Sequence, residues 1–213
     1  MNLKICEIFK SVQGESSYIG LPCIFIRLSG CNLRCAYCDT SYAWEDGHDM
    51  TILEIVEHVR SFKCGLALLT GGEPLLQEES HRLMHTLIGM GFRTMVETNG
   101  SVDISRVPEG AVRIMDVKCP GSGQSDRFHW NNLNILKPSD EVKFVITGRD
   151  DYDWSLDFIN QNLTCFNGQI LFSPAFGLIE PRDLVSWILK DNLEVRFQLQ
   201  LHKYVWGPYE RGV

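Results

Sequence analysis

The stretch Ile24-Phe25-Ile26-Arg27-Leu28-Ser29-Gly30-Cys31-Asn32-Leu33-Arg34-Cys35-Ala36-Tyr37-Cys38 is the part of the chain from which the rest can be read. Its first five residues form an apolar, β-branched run that reads as a buried strand, closed by Ser29-Gly30. Three cysteines follow at the spacing C-x3-C-x2-C. The thiols therefore lie on a loop at a strand's C-terminal end, where α/β folds place their chemistry. Thiolates are soft ligands for zinc, copper(I) or iron–sulfur clusters. A closed zinc site needs four ligands and an ordinary four-iron site takes four cysteines, whereas this group offers three. Three thiolates on a [4Fe–4S] cube leave one iron open to a further ligand. Cys6, Cys23, Cys64, Cys119 and Cys165 are dispersed, several in apolar runs, and read as small buried hydrophobes.

Working outward, short apolar runs recur and most end in polar or glycine-rich residues. Residues 66–69 end in Thr70-Gly71-Gly72-Glu73-Pro74, 93–96 in Glu97-Thr98-Asn99-Gly100, 112–115 in Asp116-Val117-Lys118, and 169–172 in Ser173-Pro174-Ala175-Phe176. Residues 142–146 are a further strand, and 3–9 alternate well enough for an edge strand. Thr51 and Glu54 form a capping box ahead of a helix to about Phe62. Further helices are expected over 83–90, 154–161 and 181–190. Acidic, glycine-containing sequence after Trp44 reads as a turn, 118–139 reads as loop, and the alternating tail from Val195 to Gly207 reads as a final strand. Strands alternating with helices predict βαβ units and a parallel sheet whose strand ends face one side. Residues 10–22 read as a polar loop able to offer backbone donors there.

At 213 residues and 44% hydrophobic content the chain reads as one domain, 1–213, with ample core. A net charge of −7 argues against a nucleic-acid surface. No stretch approaches the ~20 apolar residues of a membrane span. The N-terminus lacks a signal peptide's apolar core, so a cytoplasmic protein with reduced thiols is expected.

Residues 31–38 resemble the signature of radical S-adenosylmethionine (SAM) enzymes, with Tyr37 as the aromatic residue common before the last cysteine. The resemblance implies a partial (β/α) radical SAM barrel of reduced helical content, in which Cys31, Cys35 and Cys38 hold a [4Fe–4S] cluster and SAM chelates the fourth iron. It implies SAM contacts from Tyr37, Gly72, Glu73, Asp116, Lys118, Ser173, Pro174, Ala175 and Phe176. Within the superfamily, Gln13-Gly14-Glu15, Cys38-Asp39-Thr40 and Gln200-Leu201-His202-Lys203-Tyr204-Val205-Trp206-Gly207 resemble the 7-carboxy-7-deazaguanine synthase family. That family turns 6-carboxy-5,6,7,8-tetrahydropterin into 7-carboxy-7-deazaguanine with loss of ammonia, on the way to queuosine and other 7-deazapurines. The implied substrate residues are Val12, Gln13, Gly14, Arg27, Thr70 and His202, and the implied Mg²⁺ ligand is Thr40. Arg27 also suits a carboxylate on elementary grounds, since its planar fork binds one bidentately. The resemblance further implies a homodimer and an electron donor such as a flavodoxin or ferredoxin. One departure stands out: Ser16 occupies a place where the family often has a second glycine.

Two other readings compete. A glycyl-radical-enzyme activating protein would share the cysteine motif but act on a protein. An iron–sulfur electron carrier would need a fourth cysteine near the three, for which Cys23 and Cys119 are the candidates.

Overall fold

The computed structural model describes residues 2–213, and Met1 lies outside them. The strands are β1 (Asn2–Val12), β2 (Pro22–Leu28), β3 (His48–Thr51), β4 (Leu66–Gly71), β5 (Arg93–Thr98), β6 (Val112–Asp116), β7 (Glu141–Ile146), β8 (Gln169–Pro174) and β9 (Arg196–Phe197). The helices are α1 (Ile52–Ser61), α2 (Glu79–Gly89), α3 (Arg149–Asn162), α4 (Pro181–Lys190) and α5 (Leu201–Val205). One sheet runs in the order β3-β1-β2-β4-β5-β6-β7-β8-β9. From β2 to β9 all neighbours are parallel, and β1 is antiparallel to both its neighbours. Each parallel strand lies beside its predecessor in that series, the winding of a partial (β/α) barrel.

Alternation along the strands explains the two faces. Ile24, Ile26, Ala67, Leu69, Val96, Met115, Val142, Phe144 and Phe172 join a core with Ile55 and Val59 of α1, Leu83 and Leu87 of α2, Phe158 of α3 and Leu184 of α4. The opposite face is apolar only in its lower half, where Cys23, Leu66, Leu68, Met95 and Ile114 pack with Phe25 and Tyr18. Two residues further along the same strands come Arg27, Thr70, Glu97 and Asp116, with Lys143 beside Asp116 in the register. The polar half is the functional end.

The capping box of α1 is present in both directions, with Glu54 N 3.2 Å from Thr51 Oγ1 and Thr51 N 2.7 Å from Glu54 Oε2. Residues 118–139 form no α-helix, only three short 3-10 turns. Three expectations need correction. The segment after Trp44 is not merely a turn: His48–Thr51 is a strand pairing with β1, so β1 is second from the edge. That strand is short, polar and held by backbone bonds, which leaves no hydrophobic pattern to read and suits an edge. The third correction is the tail, where β9 covers two residues and α5 follows. Phe197, Leu199 and Leu201 mimic strand alternation, but Gln198 N reaches Phe172 O at 3.0 Å and Leu201 N turns to Gly14 O at 2.9 Å. That turn starts the helix over the N-terminal loop.

Candidate active site

The cluster loop leaves β2 beside the end of β4, and the paired glycines there make the approach possible. A β-carbon on Gly71 would overlap the carbonyl oxygen of Leu28, and one on Gly72 would overlap that of Gly30. Gly72 N and Glu73 N instead donate to those oxygens at 3.1 and 2.8 Å. The Glu73 carboxylate is fully buried and accepts from Asn99 N at 2.6 Å, Leu75 N at 3.0 Å and Thr98 Oγ1 at 3.0 Å. Burial pushes it up to about 7 in spite of those donors. Glu73 is therefore a tie between the ends of β4 and β5, and Gly72 rather than Glu73 lines the cavity.

That cavity, of about 690 Å³, lies over the polar strand ends. Cys31, Cys35 and Cys38 all line it, with Tyr37, Thr40, Thr70, Asp116, Lys118, Ala175 and Phe176. Val12, Gln13, Arg27 and His202 line it as well. Gly14 supports the wall from behind, packed against His202. Ser173 is buried, its hydroxyl without a partner among the described residues. Pro174 lines a neighbouring cavity of about 240 Å³, separated from the first by Phe176 and Gln200, which line both. Residues 207–213 fold back along the mouth, so Val213 also lines the cavity.

The thiol set fits a [4Fe–4S] cluster with one open iron. All eight cysteines are free, and the five outside the motif do not line the cavity, so Cys23 and Cys119 supply no fourth ligand. The loop is braced from outside by Ala36 N on Ser122 O at 3.0 Å and by Arg34 stacked 4.4 Å above Trp44. Among the described residues no three His, Cys, Asp or Glu converge as ligands of a single metal ion. A cube, which takes each thiolate at a separate iron, does not require that.

The charges around the cavity are paired in a particular way. Lys143, buried on β7, meets Glu15 at 2.8 Å, Asp116 at 3.5 Å and Glu97 at contact distance. Burial opposes its charge, but the three carboxylates outweigh that and raise it well above the usual lysine range. Burial likewise opposes ionisation of Glu15, yet Lys143 wins and holds it at about 2. Lys118 pairs with Asp116 at 2.8 Å, and the Tyr37 phenol, pushed up by burial, has no hydrogen-bond partner among the described residues. Arg27 donates from Nε to Glu7 at 2.7 Å, and Tyr42 donates to the same oxygen at 2.9 Å. Its terminal nitrogens donate to no protein atom among the described residues. Thr70 Oγ1 donates to Glu97 at 3.3 Å, and Thr40 Oγ1 lies 3.9 Å from Cys38 Sγ.

Glu97, Lys143, Asp39, Gln200 and Lys203 belong to the site but were not singled out from the sequence as site residues. The signal was present for Glu97 and Lys143: a charge at a buried-face position of an otherwise apolar strand is costly and calls for a partner.

A partial barrel whose strand ends carry a three-thiolate loop beside a cavity lined by paired charges defines a class of cluster-dependent enzyme. The family model described as the radical SAM superfamily matches residues 25–161. The chain is 44% identical to a 7-carboxy-7-deazaguanine synthase of Koribacter versatilis, over 99% of this chain and 100% of that protein. It is 42% identical to the synthase of Chlorobaculum tepidum, over 99% and 97%. The crystal structure of QueE from Escherichia coli shares the fold, with a TM-score of 0.73 over 95% of each chain at 24% identity. The chain belongs to the radical SAM superfamily and, within it, to the 7-carboxy-7-deazaguanine synthase family.

Proposed function

We infer that the chain is a radical SAM lyase that converts 6-carboxy-5,6,7,8-tetrahydropterin to 7-carboxy-7-deazaguanine with loss of ammonia, in queuosine and 7-deazapurine biosynthesis. The observation that carries this reading is a single cavity lined both by the three thiols and by Gln13, Arg27 and His202. Cys31, Cys35 and Cys38 would hold the cluster, which with SAM would supply one-electron radical chemistry toward the substrate. The protein binds, orients and excludes water. Its cavity volume suits a small molecule. Full-length likeness to small-molecule synthases, with a cavity of small-molecule size, does not favour the activating-protein reading.

Arg27 is preorganised for the substrate carboxylate. Glu7 fixes its Nε, Phe9 and Tyr42 flank its guanidinium at 6.0 and 5.9 Å, and its outer nitrogens are left to form the fork. Thr40 offers a hard oxygen at the cavity wall and would hold Mg²⁺ with the substrate and water completing the shell. Asp116 and Lys118, locked together, would face SAM. On the resemblance alone we propose a homodimer served by a flavodoxin- or ferredoxin-type donor. A cytoplasmic location agrees with eight free cysteines and with the lack, among the described residues, of a helix long and apolar enough to cross a membrane. Substrate deuterated at C6 tests the reaction: label should pass to 5′-deoxyadenosyl carbon, and an unlabelled nucleoside alongside product would contradict it.

A further inference from the structure

Among the described residues the Asp39 side chain has two hydrogen-bond partners, and both are on the C-terminal segment. Lys203 Nζ lies 2.7 Å away and Gln200 Nε2 3.3 Å away. Asp39 itself sits between Cys38 and Thr40 in the sequence, so whatever holds it holds the backbone that carries both. Lys203 is nearly buried, and its ammonium also donates to Gln200 Oε1 at 2.8 Å. A lysine in such a place is costly unless paired, so α5 docks here only with Asp39 opposite. Gln200 reaches the other way as well, donating to Glu15 at 3.1 Å, and Glu15 is in turn held by Lys143. One series of charge-assisted bonds thus joins β7, the N-terminal loop, the cluster loop and α5. Helix α5 has five residues, too few to persist unaided, and the tail that lines the cavity mouth follows it directly.

We propose that Lys203, with Gln200, is a positioning residue: by holding Asp39 it latches α5 to the cluster loop, which sets Thr40 at the cavity wall and seats the tail that lines the cavity. The latch rests on the reading of Thr40 as the Mg²⁺ ligand only for its effect on metal. Its mechanical part stands apart from that reading.

The test uses the cluster-reconstituted protein and the variants Asp39→Asn, Lys203→Met, Lys203→Arg and the Asn/Met double. Asp39→Asn is nearly isosteric and guards against a folding failure in Lys203→Met. Either single change should raise the Mg²⁺ concentration for half-maximal turnover roughly tenfold, at the low end of what outer partners of metal ligands cost. The turnover rate at saturating Mg²⁺ should fall less. Lys203→Arg should restore most of the loss, and the double should be no worse than the worse single, as for two halves of one interaction. Amide hydrogen exchange should quicken at 39–44 and at 200–206 together, whichever side is altered. Exchange that quickens only in the altered segment, or additive losses, would overturn the latch. A wild-type enzyme indifferent to Mg²⁺ would instead overturn the Thr40 reading, and the exchange experiment would still decide whether α5 holds the cluster loop.

Discussion

The imidazole of His202 lies directly against the α-carbon of Gly14, so closely that a β-carbon there would overlap Nδ1 and lie 3.0 Å from Cγ. The contact joins the N-terminal loop to α5, and Leu201 N seals it with a bond to Gly14 O at 2.9 Å. Gly14→Ala should therefore displace His202 and α5 without disturbing the sheet. If His202 contacts substrate as proposed, misplacing it by about 1 Å costs on the order of 100-fold, so kcat/KM should fall 10- to 100-fold or so while circular dichroism stays unchanged. Wild-type kinetics for this variant would show that the contact has no part in substrate placement.

Ser16 stands at φ +67°, the left-handed region, and its Oγ accepts from Tyr18 N at 3.1 Å. The backbone at the place of the family's second glycine is therefore glycine-like with serine present. Ser16→Gly relieves the left-handed cost but loses that bond and loosens the unfolded chain, so its stability should stay within about 1 kcal/mol of wild type. Ser16→Val, β-branched at positive φ, should lose about 2 kcal/mol or more in a denaturant titration.

Lys143 is the hinge of the charge arrangement. Lys143→Met leaves Glu15, Glu97 and Asp116 facing one another in a buried place, and the loss should be about 3–5 kcal/mol at pH 7. The pH dependence has a definite sign. Glu15 is held at about 2 against an ordinary 4.5, so its contribution, of order 3 kcal/mol, is complete above pH 4.5 and is lost as pH falls through 2. Wild-type stability should decline over that window and Glu15→Gln should lack that part of the decline, in equilibrium unfolding followed between pH 7 and 2.

Arg27→Lys keeps a cation beside Glu7 but loses the fork. Hydrogen bonds to charged groups are worth about 1.5–3 kcal/mol, so KM for the carboxylated pterin should rise by roughly 10- to 100-fold with a smaller change in kcat. A fall in kcat alone would place Arg27 outside substrate binding.

The alternation of apolar strand runs with helices was legible, as was the three-thiol loop, because each is a local pattern with a physical cause. What could not be read was set by distant partners. His48–Thr51 owes its strand character to β1, and α5 owes its helix to Gly14 and Asp39, so neither carries its conformation in its own periodicity. Lys143 lies inside an apolar strand run and Glu97 in the polar segment that closes one, and only the fold shows that the two charges pair with each other. Glu73 illustrates the converse: the motif was recognised, while its carboxylate turned out to bind β5 rather than line the cavity.

The most direct test is anaerobic turnover of the reconstituted protein with SAM, a low-potential reductant and 6-carboxy-5,6,7,8-tetrahydropterin, with and without Mg²⁺. The account predicts 7-carboxy-7-deazaguanine and ammonia, formed faster with Mg²⁺. Production of 5′-deoxyadenosine with no deazaguanine under either condition would contradict it, leaving the radical chemistry in place and the pterin substrate wrong.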